Sequence, residues 1–301
     1  MPAGGYSWWY IDALSDDKTQ GLTIIAFVGS VFSPYYAWSG WREPENHCAL
    51  NVALYGPTRN LWAMTERGRG SLKREADAIS IGPSAMHWKG DALHVEINEW
   101  TAPIPTRLRG AVTLHPQALA QETFALDADH RHHWRPIAPS ARIEVRLDEP
   151  NVRWNGRAYF DSNWGEEPLE NAFRAWDWSR AHTNDGAIVY YDLAPRHGAD
   201  RTLALRFGRD GGAHAIQAPP RTPLPGTFWG LQRATRGRPG EAPRLVRTLE
   251  DAPFYARSAL AGEIDGSPAD IVHESLWLER FANPLVRAML PFRMPRLVGR
   301  R

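Results

Sequence analysis

The chain has 301 residues, 43% of them apolar, enough for one large or two modest cores, and two domains is the preferred reading. Lysine and arginine number 35 against 34 aspartate and glutamate, so no global field selects nucleic acid or another polyanion. The single cysteine, Cys48, excludes an internal disulfide framework and fits a reducing compartment.

The opening residues show no basic region followed by an apolar run, and no apolar stretch approaches the ~20 residues of a spanning helix. A cytoplasmic protein, or one held at the cytoplasmic surface of a membrane, is expected. Short β-branched or alternating runs bounded by Gly, Pro, Asn or Asp predict strands at Leu22–Val28, Ala49–Tyr55, Leu93–Glu96, Arg142–Leu147, Ala187–Asp192 and Thr202–Phe207. Many short strands with 25 Gly and 24 Pro predict a mostly β chain, folded as antiparallel sandwiches or barrels. The Pro136-Ile137-Ala138-Pro139 run should interrupt any strand, which places a boundary between β units 1–136 and 137–301. Short helices are expected over Glu170–Trp176 and Asn283–Leu290.

Residues 154–180 are the richest stretch, because aromatic rings alternate there with acids. In a strand, Tyr159 and Asp161 share one face and Phe160 takes the other. The same period puts His132 and Trp134 together, so adjacent strands would bring four functional groups into one space. Spacing alone leans to a plainer alternative: Tyr159 and Trp134 as core rings, Asp161 as a turn acid before Ser162-Asn163, and His132 at the surface. Most of the 14 tryptophans read as core packing.

Motifs for phosphate loops, dinucleotide binding, zinc proteases and hydrolase elbows are missing from the sequence, which makes a cofactor-free site the default. His130-Arg131-His132-His133 lacks structural-zinc spacing, and no metal site is expected. Cys48, in an apolar run, reads as a small hydrophobe. Asp177 and His273 are secondary candidates. Asp177 and Glu274 read more plainly as structural charges paired with Arg180 or Arg280, while Glu66-Arg67 and Glu250-Asp251 read as fold-supporting networks.

Long strings in order resemble the carotenoid 1,2-hydratases, also called hydroxyneurosporene synthases. They include GYSWWYIDAL at 5–14, GLTIIAF at 21–27, VFSPYY at 31–36, NHCALNVALY at 46–55 and MTER at 64–67. Further on stand YFDSN at 159–163, WDWSR at 176–180, TLEDAPFYARS at 248–258, HESL at 273–276 and MLPFRMP at 289–295. The resemblance is weakest over 181–246.

It implies two lipocalin-like β units and cofactor-independent addition of water to the terminal C1,2 double bond of an acyclic carotenoid, giving a tertiary alcohol. It also matches His132, Trp134, Tyr159 and Asp161 to the family's H-x-W and Y-F-D motifs, with Asp161 as the essential acid. Hydration of an unactivated alkene begins with a proton to C2 and leaves a tertiary cation at C1. Asp161 would supply the proton, the rings of Trp134 and Tyr159 would shelter the cation, and His132 would hold water or resupply the proton. Trp164, Trp176, Trp178, Asp177 and His273 are the expected substrate-binding residues. The expected partners are the polyene, water and a membrane surface, the last through the acid-free, arginine-bearing tail from Pro284 to Arg301. The alternative is a carotenoid or lipid carrier that uses the same cavity without chemistry.

Overall fold

The computed structural model describes residues 1–238 and 240–297. Strand accounts for 56% of the chain and helix for 9%, in curled antiparallel sheets, which is the β-rich architecture expected. The chain forms two units: Met1–Pro168 with the stretch from Ala288 onward, and Leu169–Arg287.

In the first unit the sheet runs in spatial order through Glu66–Arg67, Cys48–Tyr55, Gly21–Val28, Tyr6–Ser15, Val152–Gly165, His132–Glu149, Arg107–Pro116, Ala92–Trp100, Ser84–Lys89, Ala78–Ile81 and Leu72–Arg74. One face of these strands carries the apolar core. Ile11, Ile24, Val52, Val95, Val145 and Phe160 all belong to a single buried cluster. Cys48 sits in that cluster, and burial pushes its thiol up to about 12, so it behaves as the hydrophobe its surroundings predict.

The sheet closes on itself through charge. Arg67, near one end of the path, donates to Glu99 near the other at 2.7 Å, and Ser84 donates to the second Glu99 oxygen at 2.8 Å. Glu66, next to Arg67, accepts from Arg296 and lies 2.8 Å from Nδ1 of His47. Glu66-Arg67 is thus the fold-supporting network expected.

The boundary expected at 136/137 is corrected. The His132–Glu149 strand passes straight through the proline run, and the chain divides instead after Pro168. Register shifts between Pro136 and Ala138 and between Ala138 and Ala141 absorb the prolines as bulges. These bulges also change which side chains face the core. His132, Trp134 and Pro136 lie on the face away from it, whereas Ala141, Ile143, Val145 and Leu147 belong to it.

In the second unit seven strands follow the order Ala213–Ala215, Arg201–Phe207, Gly186–Pro195, Phe173–Thr183, Ser267–Trp277, Tyr255–Ile264 and Arg244–Asp251. A ribbon of Arg221–Pro223 and Ala234–Arg236 accompanies them. The helix expected over Glu170–Trp176 spans only Leu169–Ala172. From Phe173 the chain is strand, because alternating Trp176, Asp177 and Trp178 satisfy the two-residue period. The helix expected near Asn283–Leu290 occupies Pro284–Met289.

Arg67→Met leaves Glu99 buried without its cation and should lower stability by about 3–5 kcal/mol. The double change with Glu99→Gln should lose clearly less. Urea unfolding of the full chain, followed by tryptophan fluorescence, measures both; a single-mutant loss below about 1 kcal/mol would remove the pair from the closure.

Candidate functional site

The face of the first unit's sheet turned away from the apolar core is also buried, and it is polar. The Tyr6–Ser15 and Val152–Gly165 strands pair antiparallel, with Ile11 opposite Phe160 on the core side. One residue either way, the pleat brings Tyr10 opposite Asp161 and Asp12 opposite Tyr159. On the other flank Pro136 faces Asp161 and Trp134 faces Asn163. Trp134, Tyr159 and Asp161 therefore meet, as their spacing predicts for neighbouring strands.

The Asp161 carboxyl is 4% exposed, not a solvent-facing turn acid. Trp134 donates its indole N–H to Oδ2 of Asp161 at 2.8 Å, and the Tyr159 hydroxyl donates to the same oxygen at 2.8 Å. Burial pushes the Tyr159 phenol well above its usual range, and the nearby Asp161 and Asp12 charges add to the shift, so it stays protonated and donates. Trp134 packs on Phe124 with ring centroids 5.5 Å apart, and Tyr159 meets Tyr10 edge-on at 6.3 Å.

His132 lies on the same face, opposite Gly165, and its Nδ1 is 2.8 Å from the Tyr6 hydroxyl. A Cβ at Gly165 would come within 2.5 Å of the Tyr6 ring and 2.7 Å of His132 Nδ1, so only glycine admits this pair. Burial lowers the His132 pKa, against the opposing pull of Asp127 and Glu167. Trp164 takes the alternate position of its strand and stacks on His133 at 5.3 Å, away from the face that carries Asp161.

The remaining candidates belong to the second unit. Trp176 packs edge-on against Phe173 and Tyr191, and Trp178 is buried. Asp177 lines an open cavity of about 580 Å³ together with Asp192, Arg221 and Arg236. It accepts from Ser275 and Arg221, and burial raises its pKa to about 6 against those donors. Arg221 is an ionic partner of Asp177, and Arg257 is one of Glu274. His273 is pushed down to about 4 by burial, so the neutral ring donates Nε2–H to the Ala234 carbonyl at 2.9 Å. Asp177 thus joins Ser275, Arg221 and His273 in one polar cluster.

Sequence reasoning missed Tyr6, Tyr10, Asp12 and Asn163. The signal for two of them was present: Tyr10-Ile11-Asp12 repeats the aromatic, hydrophobe, acid order of Tyr159-Phe160-Asp161. In chemical terms the face holds buried carboxyls beside N–H and O–H donors and aromatic rings, a set able to move protons in a water-poor setting.

A putative AttH from Nitrosomonas europaea has the same fold, with a TM-score of 0.62 at 14% identity over 90% of this chain and 92% of that one. Kievitone hydratase from Nectria haematococca gives 0.61 at 12% identity over 92% and 90%. In sequence, the acyclic carotenoid 1,2-hydratase of Thiocapsa roseopersicina is 54% identical over 300 residues, covering 98% of this chain and 74% of that protein. The enzyme of the same name from Cereibacter sphaeroides is 44% identical over 277 residues, covering 92% and 99%. The family model of the carotenoid hydratase CrtC matches residues 24–301. With identity this high over nearly its whole length, the chain belongs to the carotenoid hydratase family.

Proposed function

We propose that the chain adds water across the C1,2 double bond of an acyclic carotenoid, with Asp161 as the acid that protonates C2. The hydratase names of its relatives support catalysis over carriage. The observation that carries the acid assignment is the double donation to one Asp161 oxygen. Oδ2 accepts from both Trp134 and Tyr159, so the reading assigns the proton that Asp161 delivers to Oδ1.

Protonation breaks the π bond, forms C2–H and leaves positive charge on the tertiary C1. Water adds to C1 and loses a proton, giving the tertiary alcohol. The reaction changes no net oxidation state, so no redox cofactor enters it. A positioned acid contributes roughly 10²–10⁴ in rate; the rest comes from preorganised dipoles and ring faces around the cation, with Trp134 and Tyr159 each worth ~0.5–2 kcal/mol by cation–π attraction. The Tyr6–His132 pair at the edge of this face has the polarity to hold water.

The substrate is a bilayer hydrocarbon, so the reading includes contact with a membrane surface. Its support is the segment from Pro284 to Phe292. Leu285, Met289 and Phe292 follow at helical spacing and are 77%, 49% and 71% exposed, an apolar stripe turned to solvent. Among the described residues, three of the arginines expected to meet anionic lipid are engaged in the protein. Arg287 pairs with Glu170, Arg293 lies 4.5 Å over the Trp62 ring, and Arg296 binds Glu66 and the Asn46 carbonyl. Residues 298–301 of the expected basic tail lie outside the described residues. The surface contact proposed is accordingly apolar and centred on Leu285 and Phe292.

Asp161→Asn should reduce hydration of neurosporene or lycopene by 100-fold or more, on the order expected for removing a general acid. Chromatography with detection of the water mass shift measures it; activity within threefold of wild type would remove Asp161 from this role. Leu285→Ser with Phe292→Ser deletes two insertion groups of about 1.5–3 kcal/mol each. That variant should sediment at least tenfold less with uncharged phosphatidylcholine vesicles at unchanged thermal stability, and unchanged sedimentation would end the apolar-contact reading.

A further inference from the structure

Two Tyr-x-Asp pairs, not one, occupy the polar face. Tyr10-Ile11-Asp12 and Tyr159-Phe160-Asp161 lie antiparallel, so each aspartate sits opposite the other strand's tyrosine while Ile11 and Phe160 meet in the core. Each tyrosine donates to the aspartate two residues on in its own strand: Tyr10 to Asp12 Oδ2 at 3.1 Å, Tyr159 to Asp161 Oδ2 at 2.8 Å. Asp12 is fully buried at 0% exposure. Diagonal neighbours in an antiparallel pair are roughly 7–8 Å apart between Cα atoms, and that is the relation of Asp12 to Asp161.

The arrangement answers a difficulty in the acid assignment. Two donors on one carboxyl oxygen favour the charged form, which is the wrong state for a group that must give a proton first. A second carboxylate close by opposes ionisation, because two like charges on one buried face repel. Hydration also needs a base, since the water that attacks C1 must lose a proton.

We propose that Asp12 is the catalytic base of the hydration: its carboxylate keeps Asp161 protonated at rest and then takes the proton released by the attacking water. This rests on the Asp161 reading given above. In the step, Asp161 loses its proton to C2, the water oxygen bonds to C1, and Asp12 takes one of that water's protons. Asp161 ends ionised and Asp12 protonated, and return of one proton between the two carboxyls restores the resting state. The groups on Asp12's side of this sheet are Tyr10 on its own strand, Thr23 opposite it with the Tyr55 hydroxyl 3.5 Å beyond, and Tyr159, Asp161 and, at the other diagonal position and exposed to solvent, Arg157 on the neighbouring strand. Asp161 is the carboxyl among them, and the charge of Asp12 already reaches Tyr159.

The test is the pH profile of kcat and KM for wild type, Asp12→Asn and Tyr10→Phe with a defined acyclic carotene in vesicles. Wild type should give a bell, with an acid limb from ionisation of Asp12 and an alkaline limb from loss of the Asp161 proton. Asp12→Asn should lower kcat at least 100-fold with KM within threefold, lose the acid limb and move the alkaline limb to lower pH, because the neighbouring charge that held the proton is gone. Tyr10→Phe keeps the ring and removes one donor that favours the charged Asp12, so its acid limb should move to higher pH. A folded Asp12→Asn enzyme within threefold of wild type and with unmoved limbs overturns the proposal. Should Asp12→Asn not fold, Tyr10→Phe decides, and an unmoved acid limb overturns it. If Asp161→Asn abolishes hydration while these variants behave as wild type, the Asp161 reading stands and only the role of Asp12 falls; active Asp161→Asn brings down both.

Discussion

The register between the Tyr6–Ser15 and Val152–Gly165 strands is the constraint on which the site depends. Side chains alternate across a sheet, so fixing Ile11 opposite Phe160 in the apolar core leaves no choice for their neighbours. Tyr10, Asp12, Tyr159 and Asp161 must all emerge on the other face. A slip of the Tyr6–Ser15 strand by one residue would drive Tyr10 and Asp12 into the core and put Ile11 among the polar groups. Burial of those hydrophobes, worth about 1.5–3 kcal/mol each, therefore sets the position of the acids as firmly as any contact the acids make themselves.

Both faces of this sheet are buried, and the polar one is held by hydrogen bonds. A buried carboxyl is tolerated when donors surround it, and Trp134, Tyr159 and Tyr10 are suited to that work because each brings a large apolar body with a single donor. Such donors add little water. Asp12 and Asp161 are diagonal neighbours in the pair, with Cα atoms roughly 7–8 Å apart, close enough for two carboxylates on one face to repel. Two like charges on one buried face therefore oppose double ionisation of the Asp12 and Asp161 pair.

Much of this was legible in the sequence, and the reason differs from element to element. The facing of Tyr159, Phe160 and Asp161 follows from period two alone, and every strand expected from β-branched alternation formed. The family resemblance named the residues that converge, and spacing explains why they can. What the sequence concealed was pairing between distant strands. Nothing local says that residues 6–15 lie beside 152–165, so the second Tyr-x-Asp pair passed as part of an aromatic N-terminal run. The proline run misled for a related reason: proline forbids a regular ladder, but a bulge tolerates it, and a bulge is a property of two strands at once. The partners of Asp177 and Glu274 were missed likewise, because Arg221 and Arg257 approach through the fold and not along the chain.

The substrate class explains why the acids should be placed on a buried sheet face instead of on loops. An acyclic carotenoid end group offers no polar handle, so binding cannot pull it into register with a mobile acid, and the acid must already point where C2 will arrive. A strand fixes a side chain on both sides through its neighbours, and here the neighbours on each side carry the donors as well. The Trp134, Tyr159 and Tyr10 rings on this face are buried as well: Trp134 packs on Phe124, and Tyr159 meets Tyr10 edge-on. A tertiary cation next to bulk water would be captured without control of position. On the mechanism proposed above, preformed dipoles and ring faces would let it persist long enough for one held water to add at C1, and the selectivity of the hydration would follow from where that water is held.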